Sequence, residues 1–444
     1  MLVYTHIIST RLKYISDFIG RQIIGEPFKI TTNIKHYRDF EGPKLNYSTE
    51  MIDENEFWIP CRSLSGIELL FEKNITTQKI DCFESNGHKA FFKVDGDFPF
   101  DIFAASFYLL SRYEEYLPHR KDSYGRYAYE NSLAFRENFL HLPLVNIWLQ
   151  ELGKALENKF HSLTIRPSSF SFLPTYDIDI AYSYLNKGIR RNFTALVKSF
   201  VTFKWSSMRD RFGTLRGKRI DPFDSYEWLH ELHRRFNLKP YYFFLVASKR
   251  SRYDKNIPPS KAAMRNLIQS HLTYAIGVHP SWQSGDHPKK IKKEIAKLHQ
   301  ITGQKIIASR QHYIRFHLPE TFRQLIKAGI KKDFSMGYGS INGFRASVTS
   351  PFYWYDLEKE EQTSLMLYPF CFMDANSFYE QKFSPGQTLE ELREYYRQVR
   401  NVNGDLITIW HNNFLGRDKM FEGWKEIYEK FISEISSSTS QPQP

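Results

Sequence analysis

An apolar run that stops abruptly at two carboxylates, Ser169-Phe-Ser-Phe-Leu-Pro-Thr-Tyr-Asp-Ile-Asp-Ile-Ala-Tyr182, constrains this chain more than any other stretch. A short strand that reads as a continuous apolar run, rather than an alternating one, belongs inside a parallel sheet covered on both faces. Open α/β sheets and barrels place their chemistry at the carboxyl ends of such strands. Asp177 and Asp179 sit at that end, on the same side of an extended chain. A pair so placed can divide labour, one as metal ligand and one as base. It can equally well cap backbone N–H groups in a turn.

From Pro174 onward, apolar runs alternate with amphipathic segments, the pattern of a βα repeat. Strands are expected at residues 172–176, 241–246, 275–278, 305–309, 365–370 and 406–410. Helices are expected at 224–236 and 390–399, with Pro288 and Pro319 opening two more that Gly303 and Gly329 follow. At 444 residues the chain exceeds the usual size of a single core, so two domains are expected. Residues 1–165 read as a smaller α+β unit, with an opening amphipathic helix, strand-like runs at 56–60, 67–71 and 90–94, and helices at 101–116 and 143–160. Its most polar cluster, Ser111-Arg-Tyr-Glu-Glu115, reads as a helix end or an interdomain contact. Residues 170–435 form the barrel-like unit, and 436–444, all Ser, Thr, Gln and Pro, read as an unstructured tail.

Composition excludes little. Hydrophobic residues at 41% and aromatics at 16% supply an ample core. The net charge of +12 suits an acidic polymer or an anionic membrane surface. No zinc-finger, helix-turn-helix or ribonucleoprotein signature accompanies it, so nucleic acid is not an expected partner. Between Leu185 and Pro222 ten Lys or Arg stand against two Asp. This insertion, residues 187–219, is either a basic flap over an anionic substrate or a solvated loop. Three widely spaced cysteines argue against a disulfide framework and for a reducing compartment. The opening residues lack the basic segment and small-residue cleavage site of a signal peptide, and no run of about 18 apolar residues exists to span a bilayer. The expected compartment is the cytoplasm.

Three further strand ends carry polar chemistry: Ala275-Ile-Gly-Val-His279, Lys305-Ile-Ile-Ala-Ser-Arg310-Gln-His312-Tyr313 and Leu406-Ile-Thr-Ile-Trp-His411. In a βα barrel these ends share one rim with Asp177 and Asp179. Neutral imidazoles with a carboxylate suit Zn²⁺ or a similar divalent ion.

In this order, Thr175-Tyr-Asp-Ile-Asp179, Ile276-Gly-Val-His279, Arg310-Gln-His-Tyr313 and Ile407-Thr-Ile-Trp-His411 resemble the motifs of the polysaccharide deacetylase superfamily. The resemblance covers about residues 172–435. It is nearest to a divergent branch, frequent in Bacteroidetes, that also carries Asp333-Phe-Ser-Met-Gly-Tyr338 and Gly343-Phe-Arg-Ala346. The phrases Phe107-Tyr-Leu-Leu-Ser-Arg-Tyr-Glu-Glu-Tyr116 and Asp122-Ser-Tyr-Gly-Arg126 are similar to the uncharacterised domain that precedes the barrel in that branch.

The resemblance implies a distorted (β/α) barrel of about seven parallel strands and a metal-dependent hydrolase that removes an N-acetyl group from a sugar. It implies Asp177 as base, Arg310 as the residue orienting it and His411 as general acid. Asp179 and His279 become metal ligands, and the backbone N–H of Tyr313 an oxyanion donor. Two departures follow. The family's second histidine ligand falls four residues after the first, where this chain has Gln283; where the family has proline, it has His312. His312 then completes a three-ligand site, with Gln283, water or no metal at all as the alternatives. Either Asp333 or Asp374 tunes His411. Tyr313, Gln283, Trp282, Arg345 and Trp410 are the candidate substrate contacts. Expected partners are an acetylated sugar, a nucleotide-sugar or a lipid-linked oligosaccharide of surface-polysaccharide synthesis, with peripheral membrane contact. The alternative is a catalytically inactive glycan-binding or scaffold relative.

Overall fold

The structure, a computed structural model, describes residues 1–166, 169–188 and 205–439. Four very short strands, β1 (Leu2–Tyr4), β2 (Lys29–Thr31), β3 (Lys44–Asn46) and β4 (Phe57–Trp58), form a parallel sheet in the order β2-β1-β3-β4. The helix Thr10–Ile23 packs beside it, Ser9 capping it by accepting the Leu12 N–H. The helix buries Leu12, Ile15, Ile19 and Ile23, one face at helical spacing. Of the three strand-like runs, 56–60 contains β4. The run at 67–71 is a turn, and only Ala90 of 90–94 is in a strand. That strand, β6 (His88–Ala90), pairs with β5 (Phe83–Ser85) across Asn86-Gly87, both left-handed as a two-residue hairpin turn requires. The helices Ile102–Leu110 and Leu144–Lys159 fall where the periodicity puts them, the first ending before a separate turn at Tyr113–Tyr116.

The larger sheet holds β7 (Ser171–Ile178), β8 (Tyr241–Leu245), β9 (Ala275–His279), β10 (Ala308–Ser309), β11 (Lys332–Asp333), β12 (Phe352–Asp356), β13 (Glu361–Leu367), β14 (Phe372–Met373) and β15 (Asp405–His411). Its order is β12-β13-β11-β10-β9-β8-β7-β15-β14, parallel throughout except for β12. The expected barrel does not close: among the described residues the sheet has nine strands, all but β12 parallel, and ends at β12 and β14. The physical reason is at the β12 edge, where β12 folds back on β13 as an antiparallel hairpin. The N-terminal helix then covers that hairpin. The Tyr14 hydroxyl donates to the Tyr353 carbonyl at 2.8 Å, and Arg11 pairs with Glu360 at 2.5 Å. An edge covered this way needs no closure.

Helices separate the strands as the pattern required: Tyr226–Arg235, Ala262–Ser270, Pro288–Thr302, Glu320–Lys327 and Pro385–Asn401. The last helix, Trp424–Thr439, runs past Ser436, so the chain stays folded beyond the point where a tail was expected; residues 440–444 lie outside the described residues. Within the basic insertion, 189–204 lie outside the described residues and Trp205–Leu215 is helical. One carboxylate, Asp221, pins the approach to it by accepting the N–H groups of Ser183, Tyr184 and Leu185 at 2.6, 2.8 and 2.9 Å.

One continuous apolar core runs through residues of both parts of the chain. Within it Glu115 accepts from Arg345 at 2.6 Å and from Arg112 at 2.8 Å, all three side chains being buried. The polar cluster at 111–115 is thus the contact between the two parts. All three cysteines are free, and no described helix is long and apolar enough to cross a membrane.

Candidate metal centre and active site

Because β7, β9, β10 and β15 are parallel neighbours or near neighbours, their carboxyl ends bring the sequence candidates to one rim. Asp177 lies near the end of β7 and pairs in register with His411, the last residue of β15. Asp179 follows β7, and His279 ends β9. Arg310 follows β10 directly, with His312 opening the turn after it. Parallel pairing does what sequence spacing alone cannot: it aligns residues more than 230 positions apart.

Asp179, His279 and His312 form a single group whose ligand-type atoms lie within 4.8 Å of one another. His279 Nε2 is 3.0 Å from Asp179 Oδ1, and His312 Nε2 is 3.2 Å from Asp179 Oδ2. The far nitrogen of each ring is already engaged. His279 Nδ1 lies 2.6 Å from the Arg310 carbonyl, and His312 Nδ1 lies 3.1 Å from Asp254 Oδ1. Those oxygens can only accept, so both Nδ1 atoms donate, and each ring in its neutral form turns its Nε2 lone pair toward Asp179. Asp179 Oδ1 is buried without a hydrogen-bond donor. Lone pairs converging on one point, each imidazole oriented by a carbonyl or carboxylate behind it, are the donor set of a divalent-metal site. The three residues therefore fit such an ion. Burial disfavours charge at His312, but Asp179 and Asp254 outweigh it and raise its pKa to about 9. Burial likewise opposes charge at Asp179, yet His312 and His279 hold its pKa well below the usual carboxylate range.

Two further pairs flank the group. Arg310, fully buried, donates to Asp177 at 2.9 Å and to the Phe334 carbonyl at 3.0 Å, with its guanidinium over the Phe243 ring at 4.5 Å. Asp177 is thereby fixed, its other oxygen 3.8 Å from His279 Nε2. His411 Nδ1 lies 2.6 Å from Asp374, whose second oxygen accepts the His411 backbone N–H at 2.7 Å. The opposite nitrogen, Nε2, is 3.6 Å from Asp179. The second aspartate candidate, Asp333, instead accepts the Ser309 hydroxyl and the Ser335 N–H. Asp177, Asp179, His279, His312, Tyr313 and His411 all line one cavity of about 400 Å³.

Four candidate substrate contacts fall elsewhere. Trp410 is fully buried against Tyr428, because neighbours on a strand face opposite ways and His411 faces the cavity. Arg345 is spent on Glu115 in the core. Gln283 is exposed, turned away on the short helix Trp282–Gly285 and hydrogen-bonded by Lys290. Trp282 backs the wall rather than facing the cavity, stacking on Tyr253 with ring centres 3.8 Å apart. Conversely, the cavity includes Tyr253, Lys255 and Tyr379, and from the N-terminal part Tyr124 and Arg126. Asp254, behind His312, also escaped the sequence reading. It sits in a loop, where no periodicity marks a side chain as inward.

Residues 1–161 match the model of a family described as being of unknown function, DUF7033. No curated protein matches the chain. Among solved structures the chain is similar to a provisionally described polysaccharide deacetylase from Mycobacterium smegmatis, at 13% identity and TM-score 0.39, over 61% of this chain and 85% of that one. It is similar to a polysaccharide deacetylase from Bacillus cereus at 10% identity and TM-score 0.27, over 60% of this chain and 88% of that one. It is also similar to a CE4 family pseudoenzyme from Bacillus anthracis at 7% identity and TM-score 0.33, over 62% of this chain and 63% of that one. The functional reading rests on the cavity's own residues.

Proposed function

We propose that this protein is a divalent-metal-dependent hydrolase that removes an N-acetyl group from a sugar. The observation that carries the reading is the single cavity in which Asp179, His279 and His312 converge between an arginine-held carboxylate and an aspartate-held imidazole. A binding site has no need of that set together, whereas metal-assisted amide hydrolysis has a role for each member. A divalent ion held by the three ligands would supply a Lewis acid that acidifies water and polarises the amide carbonyl. Asp177, fixed by Arg310, accepts the proton of the attacking water. His411 donates a proton to the departing sugar nitrogen, since an amine leaves poorly as an anion. The Tyr313 N–H is the donor for the oxygen that gains charge as the carbonyl is attacked. Tyr124, Tyr253 and Tyr379 offer faces for a sugar ring, and Lys255 offers a cation for a phosphate on a nucleotide-linked or lipid-linked precursor. Such a precursor, met in the cytoplasm at the anionic inner leaflet, is the substrate class we propose, within surface-polysaccharide synthesis.

The test is acetate release. Purified protein supplied with Zn²⁺ should free acetate from acetylated nucleotide-linked or lipid-linked sugars, and Asp177→Asn or His411→Ala should abolish it. Turnover of insoluble cell-wall polymer alone would refute the precursor. Zinc stoichiometry should fall in Asp179→Ala, His279→Ala and His312→Ala. One observation favours a second reading, an inactive glycan-binding relative: Gln283, where the resemblance implies a histidine ligand, turns outward. Absence of acetate release from every acetylated sugar would decide for it.

A further inference from the structure

The backbone that follows His312 is held in an uncommon shape. Tyr313 (φ 60°) and Ile314 (φ 54°) both occupy the left-handed region. A bulky aromatic followed by a β-branched residue stays there only where its surroundings enforce it. The enforcing group comes from the N-terminal part of the chain. Arg126 donates through one guanidinium nitrogen to the carbonyls of Tyr313 at 3.0 Å and Gly339 at 2.8 Å. Through Nε it donates to Asp122 at 2.6 Å. Asp122 also accepts the N–H groups of Tyr124 and Arg126, both at 2.9 Å, so Asp122-Ser-Tyr-Gly-Arg126 is a pre-folded bracket. Tyr124 stacks on Tyr313 with ring centres 5.3 Å apart, and the Arg126 guanidinium lies 4.8 Å from the Tyr124 ring. Position 339 has room only for glycine, because a methyl group there would collide with Arg126 and the Tyr313 carbonyl. Arg126 is 5% exposed, and it and Tyr124 both line the cavity.

We propose that the N-terminal part of the chain is a working part of the centre, with Arg126 as a positioning residue. It holds the turn at 313–314, and through that turn the ring of His312 and the Tyr313 N–H, in place at the cavity. The alternative is a staple between two units with no bearing on the chemistry. The kinetic arm of the inference rests on the proposed hydrolase reading; its metal-binding arm does not.

The test uses the full chain, freed of metal and titrated with Zn²⁺ alone, as wild type and as Arg126→Gln, Arg126→Lys and Asp122→Asn. Groups hydrogen-bonded directly to metal ligands are worth about 10–100-fold in affinity. Arg126 acts one residue further out, through Tyr313, so Arg126→Gln, checked for native circular dichroism, should bind Zn²⁺ more weakly by about tenfold, the lower end of that range. Asp122→Asn should shift affinity in the same direction by less, and Arg126→Lys should recover part of the loss. On an acetylated sugar, kcat should fall with KM within about twofold, the mark of an interaction made in the transition state. Folded Arg126→Gln protein with wild-type zinc affinity and wild-type kcat would overturn the proposal. Should Arg126→Gln fail to fold, unchanged zinc affinity in Asp122→Asn would overturn it instead. If the wild type releases no acetate, the hydrolase reading falls, and weakened zinc binding in the variants still sustains the positioning role.

Discussion

His411 meets Asp374 twice, through its ring and through its own backbone N–H, and its proton affinity follows from that grip. Burial works against the imidazolium, but Asp374, joined by Asp179 and Asp177, outweighs it and raises the pKa to about 10. The acid-competent form is then complete well below that pH and is lost as pH rises through it. Asp374→Asn removes the dominant counter-charge while keeping the shape. Its alkaline limb in a pH–rate profile should move down by a unit or more, and kcat should drop by about 10²–10⁴-fold, the usual worth of a general acid. An alkaline limb that stays where it was would reject His411 as the acid. The sequence narrowed this partner to Asp333 or Asp374 and could go no further. The deciding fact is that β14 lies beside β15, and a strand of two residues has no period to read.

At the scale of elements, the outer faces of β7 and β8 pack against the helices Tyr226–Arg235 and Ala262–Ser270 through an unusual set of histidines and tyrosines. His233 Nε2 lies 2.8 Å from the Tyr176 hydroxyl, which lies 2.6 Å from that of Tyr428. The His271 ring sits edge-on to Tyr242, with centres 4.4 Å apart. Burial lowers His233 to about 3 and His271 to about 4. The unfolded chain takes up protons on both near pH 6.5 while the native chain refuses them. Their contribution to stability is therefore full above that pH and falls as pH drops toward 4, by up to about 2.7 kcal/mol per pH unit for two protons, opposed by Asp101 and Asp333, which burial raises to about 7 and about 6. Urea unfolding at pH 7, 6 and 5 should show the slope, and His271→Gln should reduce it. A pH dependence in His271→Gln identical to that of wild type would remove His271 from the account.

For the whole molecule, the decisive contact is Glu115 between Arg112 and Arg345. Burial alone would push its carboxyl up, but Arg345 and Arg112 outweigh burial and hold its pKa down to about 2. Removing one partner of a buried pair leaves charge without compensation and costs about 3–5 kcal/mol. Glu115→Ala should lose that much in denaturant unfolding. Because one core runs through both parts, wild type and variant should each unfold in a single transition. Two separated transitions would show that the parts are independent domains, as the chain length had led us to expect.

The sequence by itself determined the strands long enough to carry a pattern and the polar residues at their ends. That Asp177, Asp179, His279, Arg310 and His411 stand at strand ends was readable because an apolar run ending in a polar side chain is a local signal. His312 stood out only against the resemblance, where the family has proline. Only the tertiary structure decided what long-range pairing controls. Strand alternation sends Trp410 into the core, and Glu115 captures Arg345. Asp254 and Asp374 become the oriented partners of His312 and His411, and the N-terminal helix covers the β12 edge and leaves the sheet open. Arg126 reaches Tyr313 across 187 positions of chain. Such contacts depend on which backbone groups and charges remain unsatisfied once the sheet has formed, and no local pattern of residues records that.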